Sequence, residues 1–408
     1  VKIQNNQAAD QGGGLYLSPR TSAGVAIHGQ VANNSAGSGG GVGLSAPAFG
    51  LSVDLSRAKL NGNQTLGGGT GSGGGLSVSG DSSSAETLSI LMDDAVFRSN
   101  RADIDGAGVH IDYSGAMPFT VSATNCRIEG NTAGGNGGGA YLRGPASGGT
   151  VRFTNSSFAA NRAVMGAGLF MVGQHGSQES LMLEGTAFTG NIAQQDGGAI
   201  YLGTGGITAT LDQVELSSNR SLNGAGGGLY SSEGTGRIAI QGGSRITLNS
   251  AESGGGIFHS GQRVLALFNA HFDGNTASAG LGIYNAGPLT FEPGGELGSA
   301  VVDIRDGLYL QDESAVPMLY SNLTLDSMIQ LERSGYVTPN QTGTPIVVAS
   351  SAPSLETEAS AFRAPASGGE GWGIRISDDR HEVLWEPEQY AIRYENTMGA
   401  ENPNPDSY

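Results

Sequence analysis

The sequence predicts an all-β chain: a right-handed parallel β-helix of about ten regular rungs, followed by irregular C-terminal rungs and a cap. Three observations predict it. An asparagine recurs at intervals close to 30 residues, an apolar residue always precedes it by three positions, and a glycine run after it opens onto a short apolar burst. Such repetition marks a solenoid, whose units bury their apolar faces only by stacking on one another.

The unit is complete in Phe188–Leu202, FTGNIAQQDGGAIYL. Its asparagine recurs as Asn6, Asn34, Asn63, Asn100, Asn131, Asn161, Asn191, Asn219, Asn249 and Asn275, with gaps of 28, 29, 37, 31, 30, 30, 28, 30 and 26 residues. The apolar residues before them are Ile3, Val31, Leu60, Phe97, Ile128, Phe158, Phe188, Leu216, Ile246 and Phe272. Two positions after the asparagine, eight of the ten are alanine, with Thr65 and Ser221 the exceptions, so the offset is a register rather than a compositional accident.

Apolar residues alternate in short bursts, such as Val151 and Phe153, then Phe158, then Leu169 and Met171. Alternation is the strand period, and three short strands per unit make one rung. A fixed asparagine at one corner predicts a structural ladder of stacked amides that satisfies turn backbone lacking a sheet partner. Glycines supply the positive φ a sharp corner needs. A propeller requires longer repeats and a leucine-rich horseshoe a denser leucine pattern. Ten rungs at roughly 4.8 Å each give a rod on the order of 50 Å long.

Residues 1–285 form the regular rungs. In 286–387 the asparagine and glycine pattern stops while strand-like bursts continue; these are degenerate last rungs and a cap, with Trp372 and Trp385 covering the open interior. Residues 388–408 are a linker and the start of a further small module, so the chain reads as part of a longer, multidomain protein.

A net charge of −17 argues against nucleic acid and anionic membranes as partners. The single Cys126 excludes an internal disulfide framework. No apolar run approaches the roughly 20 residues of a membrane-spanning helix, so membrane insertion is not expected.

Three resemblances arise from these residues. The FxxN and GGAI pairing at Phe188–Asn191 and Gly197–Ile200 resembles the repeats of polymorphic outer-membrane passenger proteins. The looser NxA–GGGIY run is similar to β-helix segments in large secreted surface proteins of gut Gram-positive bacteria. Tyr390–Tyr408 resembles the opening of the internalin-B-type (Listeria–Bacteroides) repeat. Together they imply an extracellular, cell-surface and cell-wall-associated setting. None of these family patterns brings an agreed catalytic residue.

Two features could carry chemistry. The middle residue of the strand after the glycines should point outward. In the last six regular rungs it is Tyr141, Phe170, Tyr201, Tyr230, Phe258 and Tyr284. This aromatic column is either stacking that stabilises the sheet or an exposed platform for an extracellular glycan or a host or bacterial surface protein. The turn between asparagine and glycines carries Asp103, Asp105 and Asp196. Stacked carboxylates there could hold Ca²⁺, or act as acid and base in glycan cleavage. Each rung supplies about one acid, however, and neighbouring rungs rarely both do. The six histidines show no ligand spacing. The expectation is therefore a non-enzymatic adhesin or stalk without a cofactor. A polysaccharide lyase or glycosidase and a ligand-free spacer are the alternatives.

Overall fold

The computed structural model describes residues 1–387, apart from 46–49, 67–70, 81–86, 114–117, 146, 175, 232, 293–300, 321–322, 325, 335, 339–344, 352–354, 356–357 and 366–371. The predicted module at 388–408 lies outside the described residues.

The chain is a right-handed parallel β-helix of about eleven turns. Rung 6 shows the plan. Ser157–Ala159 leads to the Asn161 corner, and the two-residue strand Arg162–Ala163 follows. The glycine run then opens onto Leu169–Val172, and Ser180–Glu184 closes the rung. Each strand pairs in parallel with its counterpart one rung away, in register: Phe158 with Ile128 and Phe188, Phe170 with Tyr141 and Tyr201. The interior is apolar stack upon apolar stack. Phe158 and Phe188, both fully buried, lie face to face at 4.5 Å.

The asparagines form the predicted kind of hydrogen-bonded column. The backbone N–H and side-chain Nδ2 of Asn131 both donate to Asn161 Oδ1 at 3.0 Å, and Asn161 repeats this with Asn191. The second Nδ2 hydrogen reaches the carbonyl of the apolar residue in the preceding rung, as from Asn161 to Ile128 at 2.9 Å. The amide donors along the column point toward the C-terminal end. The column stops where Asp306 takes both amides of Asn275, at 3.0 and 2.6 Å. Glu332 ends the glycine run in the same way, accepting the backbone amides of Gly280 and Leu281 at 2.8 and 2.6 Å. Carboxylates suit these positions because they only accept, and the dangling groups they meet are donors. Around Asp306 the corner straightens. Val301–Leu310 runs as one ten-residue strand that pairs with both Asn269–Asp273 and Ile283–Ala286. At the C-terminal end the sheet turns antiparallel. Ile346–Ser351 pairs with Glu382–Pro387, which pairs with Trp372–Ile376; Trp385 is fully buried and Trp372 half-buried against it.

Three left-handed columns turn the corners; one lies six positions before the asparagine, at Arg57, Asp94, Asn125, Asn155, Gly185, Gln213 and Gly243 in rungs 3–9. The first glycine of each run, Gly12 through Gly280, has φ of 55–72° in all ten rungs. The residue before each asparagine is also left-handed, yet glycine fills that position only four times; Asn5, Asn33, Ser99, Ala160, Ser218 and Leu248 occupy the others. Leu248 has φ 57° and is 63 % exposed. A left-handed non-glycine costs about 1–2 kcal/mol, partly offset by glycine's greater freedom when unfolded. Leu248→Gly is therefore expected to stabilise the rod by about 0.5–1 kcal/mol. A lowered thermal midpoint would show that the leucine packs usefully where it is.

Candidate functional site

The aromatic column lies outside the barrel. Its flanking residues, such as Ile200 and Leu202, belong to the interior cluster, and the rings do not. The stack is longer than the six rings named from the sequence. It begins at His110 and runs through Tyr141, Phe170, Tyr201, Tyr230, Phe258 and Tyr284 to Tyr309 in the eleventh turn. Neighbouring ring centroids are 4.7–5.2 Å apart, and the planes lie within 7–19° of parallel. That spacing is the rise of one rung, so the fold itself sets the stacking distance.

The geometry changes what the column can offer. Every internal ring has both faces covered by neighbours, so a sugar cannot lie flat on one; what faces solvent is ring edge and phenol oxygen. Exposure also grades along the rod. His110, Tyr141 and Phe170 are buried, whereas Tyr201, Tyr230, Phe258, Tyr284 and Tyr309 are half-buried. The Tyr284 hydroxyl donates to Gln311 Oε1 at 3.1 Å. Burial keeps the His110 imidazole neutral, with a pKa lowered to about 4, so the N-terminal part of the stack carries no charge at neutral pH.

The turn carboxylates have structural partners. Asp105 Oδ1 accepts the Asn136 backbone amide of the next rung at 2.6 Å, and Asp196 Oδ1 accepts the Ala225 amide at 2.8 Å. Burial raises the Asp105 pKa, and the Asn136 amide opposes that shift. Asp103 shares its turn with Asp105, and its Oδ2 is buried without a donor among the described residues. Among the described residues no three of His, Cys, Asp and Glu come together in a metal-binding group.

Sequence reasoning missed a polar patch inside the barrel. The inward column Leu142, Met171, Leu202 turns polar at Ser231, His259 and Asn285, each fully buried. Arg263, also fully buried, crosses this region. Its guanidinium donates to Ser231 Oγ at 2.8 Å and to the carbonyls of Gly203 at 2.9 Å, Gly205 and Thr235 at 3.3 Å, and Leu202 at 3.5 Å. Register explains how it fits. Glu179, Ile207, Gly236 and Arg263 fall in one column of successive rungs, and Gly236 contributes no side chain there. Glu179 is 1 % exposed, and neither carboxylate oxygen has a hydrogen-bond donor among the described residues. Burial raises its pKa, while the nearby Ser177 hydroxyl and the Arg263 charge pull it back. Burial likewise lowers the Arg263 pKa to about 10 and that of His259 to about 4. The sequence offered one hint, the three polar residues at inward positions of consecutive rungs. Because the patch is closed to solvent, it braces the rod rather than meeting a substrate.

Residues 185–203 match the Chlamydia polymorphic membrane protein repeat. The match holds Phe188, Asn191, Gly197–Ile200 and Tyr201, and so spans the corner, the glycine turn and one ring of the stack. With the fold, it supports a bacterial surface β-helix built of repeats. No curated protein and no solved structure matches the chain.

Proposed function

We propose that this chain is a non-enzymatic, extracellular β-helix of a bacterial surface protein. It acts as a rigid stalk or adhesin that meets a glycan, or a protein of another cell, along the edge of the aromatic stack. The observation that carries this reading is the continuity of that edge. From Tyr201 to Tyr309 five half-buried rings, four of them with phenol oxygens, line one outer strip of the rod. Exposed contiguous aromatic surface with polar tips is the composition of contact sites. The non-enzymatic part draws on the acids: Asp105 and Asp196 hold backbone amides rather than flank a shared cleft.

The test is a binding screen against glycans and host-matrix proteins, with and without Ca²⁺. The key variant is Tyr201→Phe/Tyr230→Phe/Tyr284→Phe/Tyr309→Phe. It keeps the rings, and hence the stack, but removes the hydroxyls. Selective binding that this variant loses, with its melting temperature kept, is the expected result. No ligand in either condition would leave a stalk and remove the adhesin. Release of reducing ends or unsaturated products from a polysaccharide would overturn the non-enzymatic reading.

A further inference from the structure

The chain is strongly acidic overall, yet one face of it is not. On the strands before the asparagine corner and on the residue just after it, the outward positions form three columns. In rungs 3–9 these columns hold seven cations and two acids. Lys59 and Arg127 share the first column, two rungs apart, and Arg245 lies farther along it. Arg98 is in the second. Arg101, Arg162 and Arg220 share the third, each two rungs from the next. The acids are Glu129 and Glu215. All seven cations are exposed.

Among the described residues, none of the seven pairs with a carboxylate. Elsewhere Arg143, Arg152, Arg237, Arg305 and Arg375 are held by Asp112, Glu184, Glu292, Asp303 and Glu386. Among the described residues Lys2, Arg20, Arg57, Arg333, Arg363 and Arg380 lack an ion pair too, so what sets the stripe apart is its balance: seven cations and two acids, in a chain with 37 acids against 20 lysines and arginines. The two-rung interval is roughly 10 Å. It places the charges of one column beyond close mutual repulsion, and at a separation comparable with the disaccharide repeat of an extended polysaccharide.

We propose that this stripe, centred on Arg98, Arg101, Arg127 and Arg162, binds an acidic polysaccharide whose carboxylates or sulfates lie along the rod axis. Six of the seven cations are arginine, whose planar fork engages carboxylate or sulfate through two parallel hydrogen bonds. The three columns contain no Phe, Tyr or Trp between rungs 3 and 9, so they lack the stacking platforms that hold single-stranded nucleic acid. Their few apolar members, such as Val96 and Ile192, are too sparse for a lipid-inserting face. A net charge of −17 does not exclude an acidic polysaccharide from this stripe, because charge is felt over about 10 Å rather than over the whole chain. The inference relies on the surface-rod reading for access to such a polymer, but it uses a different face from the aromatic strip.

The experiment is retention of the intact chain on immobilised heparin and polygalacturonate at low salt, with dextran as the neutral control. Retention on both acidic polymers, absent on dextran and falling with salt, is expected. Arg98→Gln/Arg101→Gln/Arg162→Gln, all exposed positions, is expected to weaken it about tenfold or more. Arg152→Gln, which removes an arginine paired with Glu184, leaves it unchanged. The tyrosine-to-phenylalanine variant also keeps it, so the two faces fail independently. The proposal is overturned if the wild type is not retained, if the triple variant is retained as well as the wild type, or if single-stranded DNA or phosphatidylserine vesicles bind more tightly than either polysaccharide.

Discussion

Asn161→Leu is expected to lower the stability of the rod by roughly 4 kcal/mol, since several buried polar groups lose their partners at about 1–3 kcal/mol each. The substitution orphans the Asn131 backbone N–H and one Nδ2 hydrogen of Asn131, whose other still donates to the Phe97 carbonyl, and removes a side-chain donor from the Ile128 carbonyl, all deep in the corner. Asn191 Oδ1 also loses one of its two donors. Leucine has the same number of side-chain heavy atoms as asparagine and greater volume, so the loss does not come from a cavity. A second probe is Asn161→Asp. It keeps an acceptor for Asn131 but turns the Nδ2 donor into a second oxygen facing the Ile128 carbonyl and Asn191 Oδ1. It is therefore expected to destabilise, although Asp306 does the same job well at the end of the column, where no acceptor follows. Thermal unfolding followed by circular dichroism measures the change, and amide exchange at Asn131 locates it. A midpoint within about a degree of wild type would mean that the asparagine column is decoration rather than structure.

Arg263→Met is the second large effect, at about 3–5 kcal/mol, because it leaves buried carbonyls without a donor and the buried Glu179 without a nearby positive charge. The guanidinium satisfies four carbonyls drawn from two rungs and the Ser231 hydroxyl. Its charge also faces the buried Glu179, which has no donor of its own among the described residues. Adding Glu179→Gln to the arginine variant removes the stranded charge and is expected to recover part of the loss. Strict additivity of the two changes would show that the charges do not sense each other, and that Arg263 acts only as a brace for backbone carbonyls.

The regular rungs were legible because each rests on a local rule. Phe158 and Phe188 announce the inward strand position, Asn161 and Asn191 the corner, and Gly166 and Gly197 the left-handed turn. The outward direction of Tyr201 and Tyr230 followed from strand alternation. Their use did not, since only the rung spacing brings ring onto ring and closes the faces that a ligand would need. Tyr309, Asp306 and Glu332 were missed for one reason: they continue or terminate the columns with different residues at shifted offsets, so no periodicity points to them. Arg263 escaped because its meaning depends on Gly236 and Glu179, which adjoin it only once the rungs are stacked. The basic stripe escaped because composition averages over the chain, while Arg101, Arg162 and Arg220 are neighbours only across rungs.

The sequence by itself determined the repeat, the parallel β-helix and the sides of each strand that face in and out, because these follow from spacing along one chain. Only the tertiary structure decided which side chains meet between rungs: the closed ring faces, the carboxylate caps, the buried arginine and the unpaired cations. A solenoid sets those contacts by stacking residues some 30 positions apart at a single rung's rise, and small differences in loop length between rungs decide which residues align.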